Sequence, residues 1–114
     1  MKIYKKGEII AREGEFDETC FILMNGRVGV YKDNKLISEI YERGAIFGEL
    51  SSILDQPRTS TIIAHQDSQV IVIEKGIDEL IKKHPDVTKK LMISLAQRLV
   101  NTTNQLIEKI EGKS

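Results

Sequence analysis

The sequence predicts a mainly β domain followed by C-terminal helices, and three observations lead to this prediction. Short β-branched runs separated by turn residues fill the chain up to about residue 75. From Gly76 onward the apolar residues recur every three or four positions, which indicates helices. The 114 residues suffice for one domain with its own hydrophobic core. We therefore expect a single domain over 1–114, with a β-sandwich or β-barrel over 1–75, a short helix over 76–84 and a long helix over 86–111.

Six short apolar runs in the first part are predicted to be strands, because many short strands at regular spacing are typical of sandwiches and barrels. Asn25 and Gly26 predict a tight hairpin, since both residues tolerate positive φ. Asp33 and Asn34 give a further turn signal. The predicted strands cover 9–10, 21–24, 28–31, 36–41, 61–64 and 70–73.

The long C-terminal helix is predicted to pair two copies of the chain. Pro85 is expected to end the short helix, Asp86 to cap the long one, and Gly112 to follow its end. A helix of ~25 residues is ~37 Å long, which exceeds what a small barrel needs to cover. Packing of this helix on its own barrel remains the alternative. Its apolar seam has steps of three or four residues and approaches three heptads, at Met92, Leu95, Leu99, Thr102, Leu106 and Ile110.

The most informative segment lies between the predicted strands and holds the features of an anion site. A short apolar helix is expected over 49–54, and a helix start presents unpaired N–H groups and a positive partial charge. Gly48 lacks a Cβ, so a ligand can approach the backbone. Arg58 can add a guanidinium fork, and Thr59 can add a hydroxyl donor. The sequence therefore predicts a phosphate cradle made of the Gly48, Glu49 and Leu50 amides with Arg58 and Thr59.

Each cradle residue also has an ordinary structural interpretation. Glu49 complements a helix dipole without any ligand. Gly48 can be a turn glycine, Arg58 a solvated loop charge, and Thr59 the start of a strand. Their joint spacing favours the cradle.

Residues 44–61 resemble the phosphate-binding cassette of cyclic-nucleotide-binding domains, of which the catabolite-activator sensor domains are one type. Residues 6–10, 13–15 and 21–28 also resemble the early strands of that family. The cassette residues are the run Phe47-Gly48-Glu49-Leu50, a spacer of seven residues that ends in Pro57, then Arg58 and Thr59, with Thr61 beyond them. The resemblance implies a β-roll, which is a double-stranded jelly-roll barrel.

The resemblance also implies roles for individual residues. Glu49 would accept a hydrogen bond from the ribose 2′-hydroxyl, and Arg58 would pair with the cyclic phosphate with help from Thr59. Residues 98–103 resemble the last helix of the family, which implies that Thr102 and Thr103 contact the base, one of them from the partner chain. In the alternative interpretation, Thr102 bonds the carbonyl one turn back. Apolar side chains expected to line the base are Ile37, Ile46, Leu50 and Ile62.

The resulting functional prediction is a regulatory sensor domain that binds cyclic AMP, or less favourably cyclic GMP, and moves its C-terminal helices. Relatives of the activator type continue into a DNA-binding domain, which this protein is expected to lack. The chain is thus expected to be either a stand-alone sensor acting on a protein partner or a fragment of a larger regulator. The rival prediction is a β-roll that has lost its ligand and serves as a dimerisation or protein-interaction module.

Composition limits the remaining classes of function. Lys plus Arg and Asp plus Glu balance at 17 each, so no direct nucleic-acid contact is expected. Cys20 is the single cysteine and is expected to be a small buried hydrophobe in a reducing, cytoplasmic setting. No signal peptide or membrane span is predicted. His65 and His84 lack a second ligand nearby in the sequence, which argues against a metalloenzyme. No catalytic motif occurs, so neither an enzyme nor a cofactor is predicted.

Overall fold

The computed structural model of the protein describes residues 1–112, so positions 113 and 114 of the predicted domain lie outside the described residues. Over this part, eight strands and three helices follow one another along the chain. The strands are β1 (Lys2–Tyr4), β2 (Ile9–Ala11), β3 (Cys20–Asn25), β4 (Val28–Lys32), β5 (Lys35–Ile40), β6 (Ile46–Phe47), β7 (Thr61–Ala64) and β8 (Ser68–Ile73). The helices are α1 (Leu50–Leu54), α2 (Gly76–Lys83) and α3 (Pro85–Glu111).

The strands form two antiparallel sheets of four strands each, in the orders β1-β8-β3-β6 and β2-β7-β4-β5. The predicted fold class, mainly β with C-terminal helices, is confirmed. Sequence reasoning missed β1 and β6. These strands have three and two residues, and runs this short display no periodicity of their own.

The predicted hairpin at Asn25 and Gly26 is wrong, because β3 and β4 belong to different sheets. At Gly26 the chain passes from one sheet to the other, and this residue lies against the start of β8. A Cβ at Gly26, where φ is +111°, would lie 2.3 Å from the Ser68 hydroxyl oxygen. The two-residue hairpin instead joins β4 to β5 at Asp33 and Asn34, whose φ values are 51° and 64°.

Strand β3 contributes to two hydrophobic clusters, because successive side chains of a strand point to opposite faces. Phe21 and Leu23 belong to the cluster between the sheets. Cys20 and Ile22 belong to a second cluster that attaches α2 and α3. Cys20 is fully buried, as predicted, and burial raises the pKa of its thiol to about 11. The second cluster consists of Cys20, Ile22, Ile46, Ile73, Leu80 and Leu91.

The long helix begins one residue earlier than predicted. His84 precedes the helix and Pro85 is its first residue, so Asp86 lies in the first turn and is not the N-cap. Proline suits this position because its φ is already helical and its missing N–H has no role there. Gly112 follows the end of α3, as predicted. The described helices include none with the length and apolar composition needed to cross a bilayer.

The attachment of α2 predicts a large effect of Leu80→Ala on stability. Leu80 is fully buried, and its neighbour Ile81 is 53 % exposed. Leu80→Ala should lower the free energy of unfolding by about 2–5 kcal/mol because it leaves a cavity. Ile81→Ala should change it by less than about 0.5 kcal/mol. Urea unfolding of both variants tests this, and equal losses would contradict the described position of α2.

Candidate functional site

A cavity of about 590 Å³ lies against the second sheet, α1 and the loop after α1. This volume falls within the usual range for small-molecule sites. Its apolar wall includes Val30, Ile37, Ile40, Ile46, Leu50 and Ile62, and its polar and charged lining includes Lys32, Glu49, Ser51, Arg58, Thr59 and Arg98.

The five residues predicted to form the cradle all line this cavity. They are Gly48, Glu49, Leu50, Arg58 and Thr59. The four apolar residues that the sequence suggested for a base, Ile37, Ile46, Leu50 and Ile62, line it as well. The fold therefore brings together residues from β5, β6, β7, α1 and the loop after α1.

Arg58 is buried, although an arginine after a loop proline is usually solvated. It is 5 % exposed. Its Nη1 donates to the Gly48 carbonyl oxygen at 2.7 Å and to Ser51 Oγ at 3.1 Å. Its Nη2 lies 3.9 Å from a carboxylate oxygen of Asp17, whose side chain is 53 % exposed. The solvated-charge interpretation of Arg58 is therefore wrong, and the guanidinium is held at the cavity by neutral acceptors.

Gly48 is required by this arrangement for a reason that sequence reasoning did not anticipate. Its φ is +72°, which L side chains rarely adopt. A Cβ there would lie 2.9 Å from Arg58 Nη1 and 3.2 Å from the Phe21 ring. The group that approaches this backbone is thus the guanidinium of the same chain.

Glu49 is a buried carboxylate at the start of α1. It is 4 % exposed, and its side chain makes no capping hydrogen bond to the helix. Burial raises the pKa of Glu49, and its own backbone N–H and the charges of Arg98 and Arg58 partly offset this effect. A glutamate can complement a helix dipole while it stays exposed, so this interpretation of Glu49 does not explain why the carboxylate is buried.

Three of the lining residues that sequence reasoning missed contact the cradle or carry a charge. Ser51 accepts from Arg58, and Lys32 Nζ donates to the Thr59 carbonyl oxygen at 3.0 Å and pairs with Glu13 at 3.2 Å. Arg98 reaches the cavity from α3 and attracts Glu49. Ser51 adjoins the Phe47–Leu50 run and could have been included in it. Lys32 lies far away in the sequence, and no local pattern marks it. Arg98 lies in the segment 98–103, for which the resemblance implied base contacts of Thr102 and Thr103 and no role for Arg98.

Thr102 and Thr103 are exposed on α3 and are not among the residues that line the cavity. Thr103 Oγ1 donates to the Leu99 carbonyl oxygen, one helical turn back, at 2.9 Å. The alternative interpretation assigned a bond of this kind to Thr102. Their contact with a base, in which a partner chain takes part, stays a prediction.

With this geometry in place, comparison with known proteins identifies the family. A profile described as "Cyclic nucleotide-binding domain" matches residues 1–84. The chain belongs to this family. The match includes the whole cassette and both sheets, and it confirms the resemblance seen in the sequence.

One relative and two solved structures illustrate how this cyclic-nucleotide-binding domain compares. The cGMP-dependent protein kinase of Plasmodium berghei (strain Anka) is 36 % identical over 63 residues, which are 55 % of this chain and 7 % of the kinase. A solved structure of PKAR CBD2 with Sp-2Cl-cAMPS bound superposes with a TM-score of 0.71 at 33 % identity, covering 94 % of this chain and 68 % of that one. The Thermus thermophilus catabolite activator protein superposes with a TM-score of 0.77 at 21 % identity, over 92 % of this chain and 52 % of that one, which is a likeness of fold.

These likenesses support the predicted jelly-roll β-roll followed by helices. The chain spans 7 % of the length of the kinase relative. Within residues 1–112, no cluster of three or more His, Cys, Asp or Glu side chains is placed to hold a metal ion.

The buried Glu49 predicts a pH-dependent difference between the protein and its Glu49→Gln variant. Because the folded pKa is raised, the unfolded chain loses this proton first as the pH rises, and the wild type loses stability through that window. Each unit by which the two pKa values differ is worth about 1.4 kcal/mol. Glutamine cannot ionise, so the variant should gain stability relative to the wild type over the pH range that begins at about 4.3, the ordinary pKa of glutamate, and extends upward.

Urea unfolding across that pH range measures the free energy of unfolding of both proteins. The difference between the two values removes the contributions of the other carboxylates, which both proteins share. Glu42→Gln, at an exposed turn residue, is the control. A Glu49→Gln difference that stays constant with pH would show that Glu49 is not held in a raised-pKa environment.

Proposed function

We propose that this domain binds a 3′,5′-cyclic purine nucleotide, cyclic AMP in preference to cyclic GMP, in the cavity next to Arg58. The observation that carries the proposal is the electrostatic state of Arg58. It is a buried cation at a cavity wall, its hydrogen-bond acceptors are neutral, and its nearest carboxylate is a half-exposed one at 3.9 Å. Such a charge favours an anionic ligand group.

The charges around the cavity favour a ligand that carries a single negative charge. Lys32 is paired with Glu13 at 3.2 Å, and Arg98 attracts the buried Glu49. Arg58 also attracts Glu49, and it is the one buried cation among the described residues that line the cavity. A cyclic phosphodiester carries one negative charge, whereas the monoester of linear AMP carries about 1.5 to 2 at neutral pH. Electrostatic balance thus supports the cyclic form.

The rest of the cavity suits a nucleoside. Glu49 is positioned at the cradle and accepts from the ribose 2′-hydroxyl in the proposed complex. The isoleucines of the cavity wall, Ile37, Ile46 and Ile62, form an apolar surface for the base. Thr102 and Thr103 are proposed to contact the base from paired α3 helices, and this pair is our reason for favouring adenine. One relative is a cGMP-dependent kinase, and one similar structure holds a cyclic AMP analogue.

We further propose that the domain acts by binding and not by catalysis, as one unit over 1–114, and that the ligand shifts the C-terminal helices. Ile46, next to the cradle, belongs to the same buried cluster as Leu80 of α2 and Leu91 of α3. A ligand moves this equilibrium by the difference between its affinities for the two states. The output is regulatory and reaches a protein partner through these helices.

The exposed side of α3 supports a homodimer. Met92, Leu99, Leu106 and Ile110 are all more than half exposed and recur at intervals of seven or four residues. This spacing matches a coiled-coil seam. A second copy of the chain, paired in parallel, would cover the seam.

Arg58→Ala should weaken nucleotide binding by roughly 10- to 150-fold, because a charge-assisted hydrogen bond contributes about 1.5–3 kcal/mol. Calorimetric titration with cyclic AMP, cyclic GMP and linear AMP measures this and ranks the three ligands. A ligand at about 100 times its dissociation constant should also stabilise the fold by about 2.7 kcal/mol, which a thermal shift detects.

The control is Arg12→Ala, since the side chain of Arg12 is 61 % exposed and pairs only with Glu15 among the interactions found in the described residues. Its affinity should equal that of the wild type. Unchanged affinity in Arg58→Ala would refute the assigned site. If none of the three nucleotides binds while the chain remains dimeric, the chain is the interaction module instead.

Leu99→Glu and Leu106→Glu should each shift the protein from dimer to monomer, because each places a charge on the seam. Gln105→Glu adds the same charge to α3 one residue before the seam position and should leave the dimer intact. Analytical ultracentrifugation over a range of concentrations distinguishes the species. A wild type that stays monomeric at the highest concentration would remove the dimer from this proposal.

A further inference from the structure

Helix α1 carries two adjacent serines that contact different segments of the chain. The helix has five residues, Leu50–Leu54. A helix this short is not stable alone, so its position depends on the groups that hold it. Ser51 and Ser52 supply two of these attachments.

Ser51 attaches α1 to the anion cradle. Its hydroxyl oxygen accepts from Arg58 Nη1 at 3.1 Å, and its hydroxyl donates to the Asp17 carbonyl oxygen at 3.0 Å. The residue is 5 % exposed. Any displacement of the Arg58 guanidinium on binding an anion therefore acts directly on α1.

Ser52 attaches α1 to the beginning of α2. Its hydroxyl oxygen accepts the backbone N–H of Ile77 at 2.8 Å. Ile77 is the second residue of α2, and N–H groups in a first helical turn have no acceptor inside their own helix. Lys75, at the N-cap of α2, offers no side-chain capping bond. Ser52 thus caps α2 from a different helix.

Gly76 permits this contact. Its φ is +63°, and a Cβ there would lie 2.0 Å from Ser52 Oγ and 2.2 Å from the Glu18 carbonyl oxygen. A side chain at this position would push α1 and α2 apart. The close approach of the two helices therefore depends on Gly76 and Ser52 together.

Beyond this contact, α2 is joined to α3 through buried side chains. Leu80 of α2 is fully buried, and it shares a cluster with Leu91 of α3 and with Ile73 of β8. Packed clusters transmit displacement because they contain little free volume. A shift at the start of α2 thus reaches α3.

From these contacts we propose that Ser52 is the positioning residue that couples the anion cradle to the C-terminal helices, through its hydrogen bond to the Ile77 amide. This inference rests on the proposed nucleotide-binding function. It assigns to the adjacent serines separate roles: Ser51 sets the affinity for the ligand through Arg58, and Ser52 sets the response of α2 to the bound ligand. A purely structural cap would stabilise α2 equally with and without ligand.

The test compares Ser51→Ala and Ser52→Ala in the full chain, with cyclic AMP as the probe. Calorimetry measures affinity, and hydrogen exchange of amides 77–83 with and without the nucleotide measures the response of α2. Ser51→Ala should weaken binding by about 2- to 12-fold, less than Arg58→Ala, because the variant loses one acceptor of the guanidinium and keeps the cation. Ser52→Ala should leave affinity within about threefold of the wild type, while the nucleotide-dependent change in exchange at these amides falls by at least half.

Ser52→Thr and Ser52→Val form an isosteric pair that differs in the hydroxyl group, and they keep the test valid if the alanine variant folds poorly. Threonine should retain the α2 response and valine should lose it. Wild-type binding combined with an undiminished response in Ser52→Ala and Ser52→Val would overturn the role of Ser52 and leave the binding proposal intact. A wild type that binds no cyclic nucleotide would overturn both proposals.

Discussion

The hydrogen bond from the buried guanidinium of Arg58 to the carbonyl oxygen of Gly48 constrains the whole site. A cation removed from water requires close acceptors, and the 2.7 Å bond to Gly48 provides one. For that carbonyl to be within reach, Gly48 takes a positive φ and leaves room that any Cβ would fill. Ser51 provides the second acceptor and fixes α1 in the same contact. The turn, the short helix and the arginine therefore depend on one another.

The site also contains two buried ionisable side chains, which a core with only a structural role would avoid. Glu49 is buried with a raised pKa, and the buried Arg58 has a half-exposed carboxylate, that of Asp17, 3.9 Å away. Both groups lie on one cavity with an apolar wall. Buried ionisable groups of this kind concentrate at sites where proteins bind ligands. An anion with a neighbouring hydroxyl would satisfy both Arg58 and Glu49.

The two hydrophobic clusters explain how such a site can influence distant helices. Strand β3 places Phe21 in the cluster between the sheets and Ile22 in the cluster beneath α2 and α3. Phe21 also stacks on Phe47, the residue before Gly48, with ring centroids 5.1 Å apart. The cradle is thus anchored to a strand whose other face packs against the helices. A change at the cradle has a short route, through packed side chains and the contact of α1 with α2, to the surface where a partner would bind.

The sequence by itself determined six of the eight described strands, the three helices and the change of period at Gly76, and it singled out five residues that line the cavity, because turn chemistry, periodicity and cassette spacing are local properties. Tertiary structure alone decided that the chain crosses between sheets at Gly26, that Lys32 and Arg98 reach the cavity, and that Ser52 contacts Ile77. These facts arise from contacts between segments distant in the chain. No local pattern records them, because they depend on which sheet each strand joins and on how closely two backbones approach.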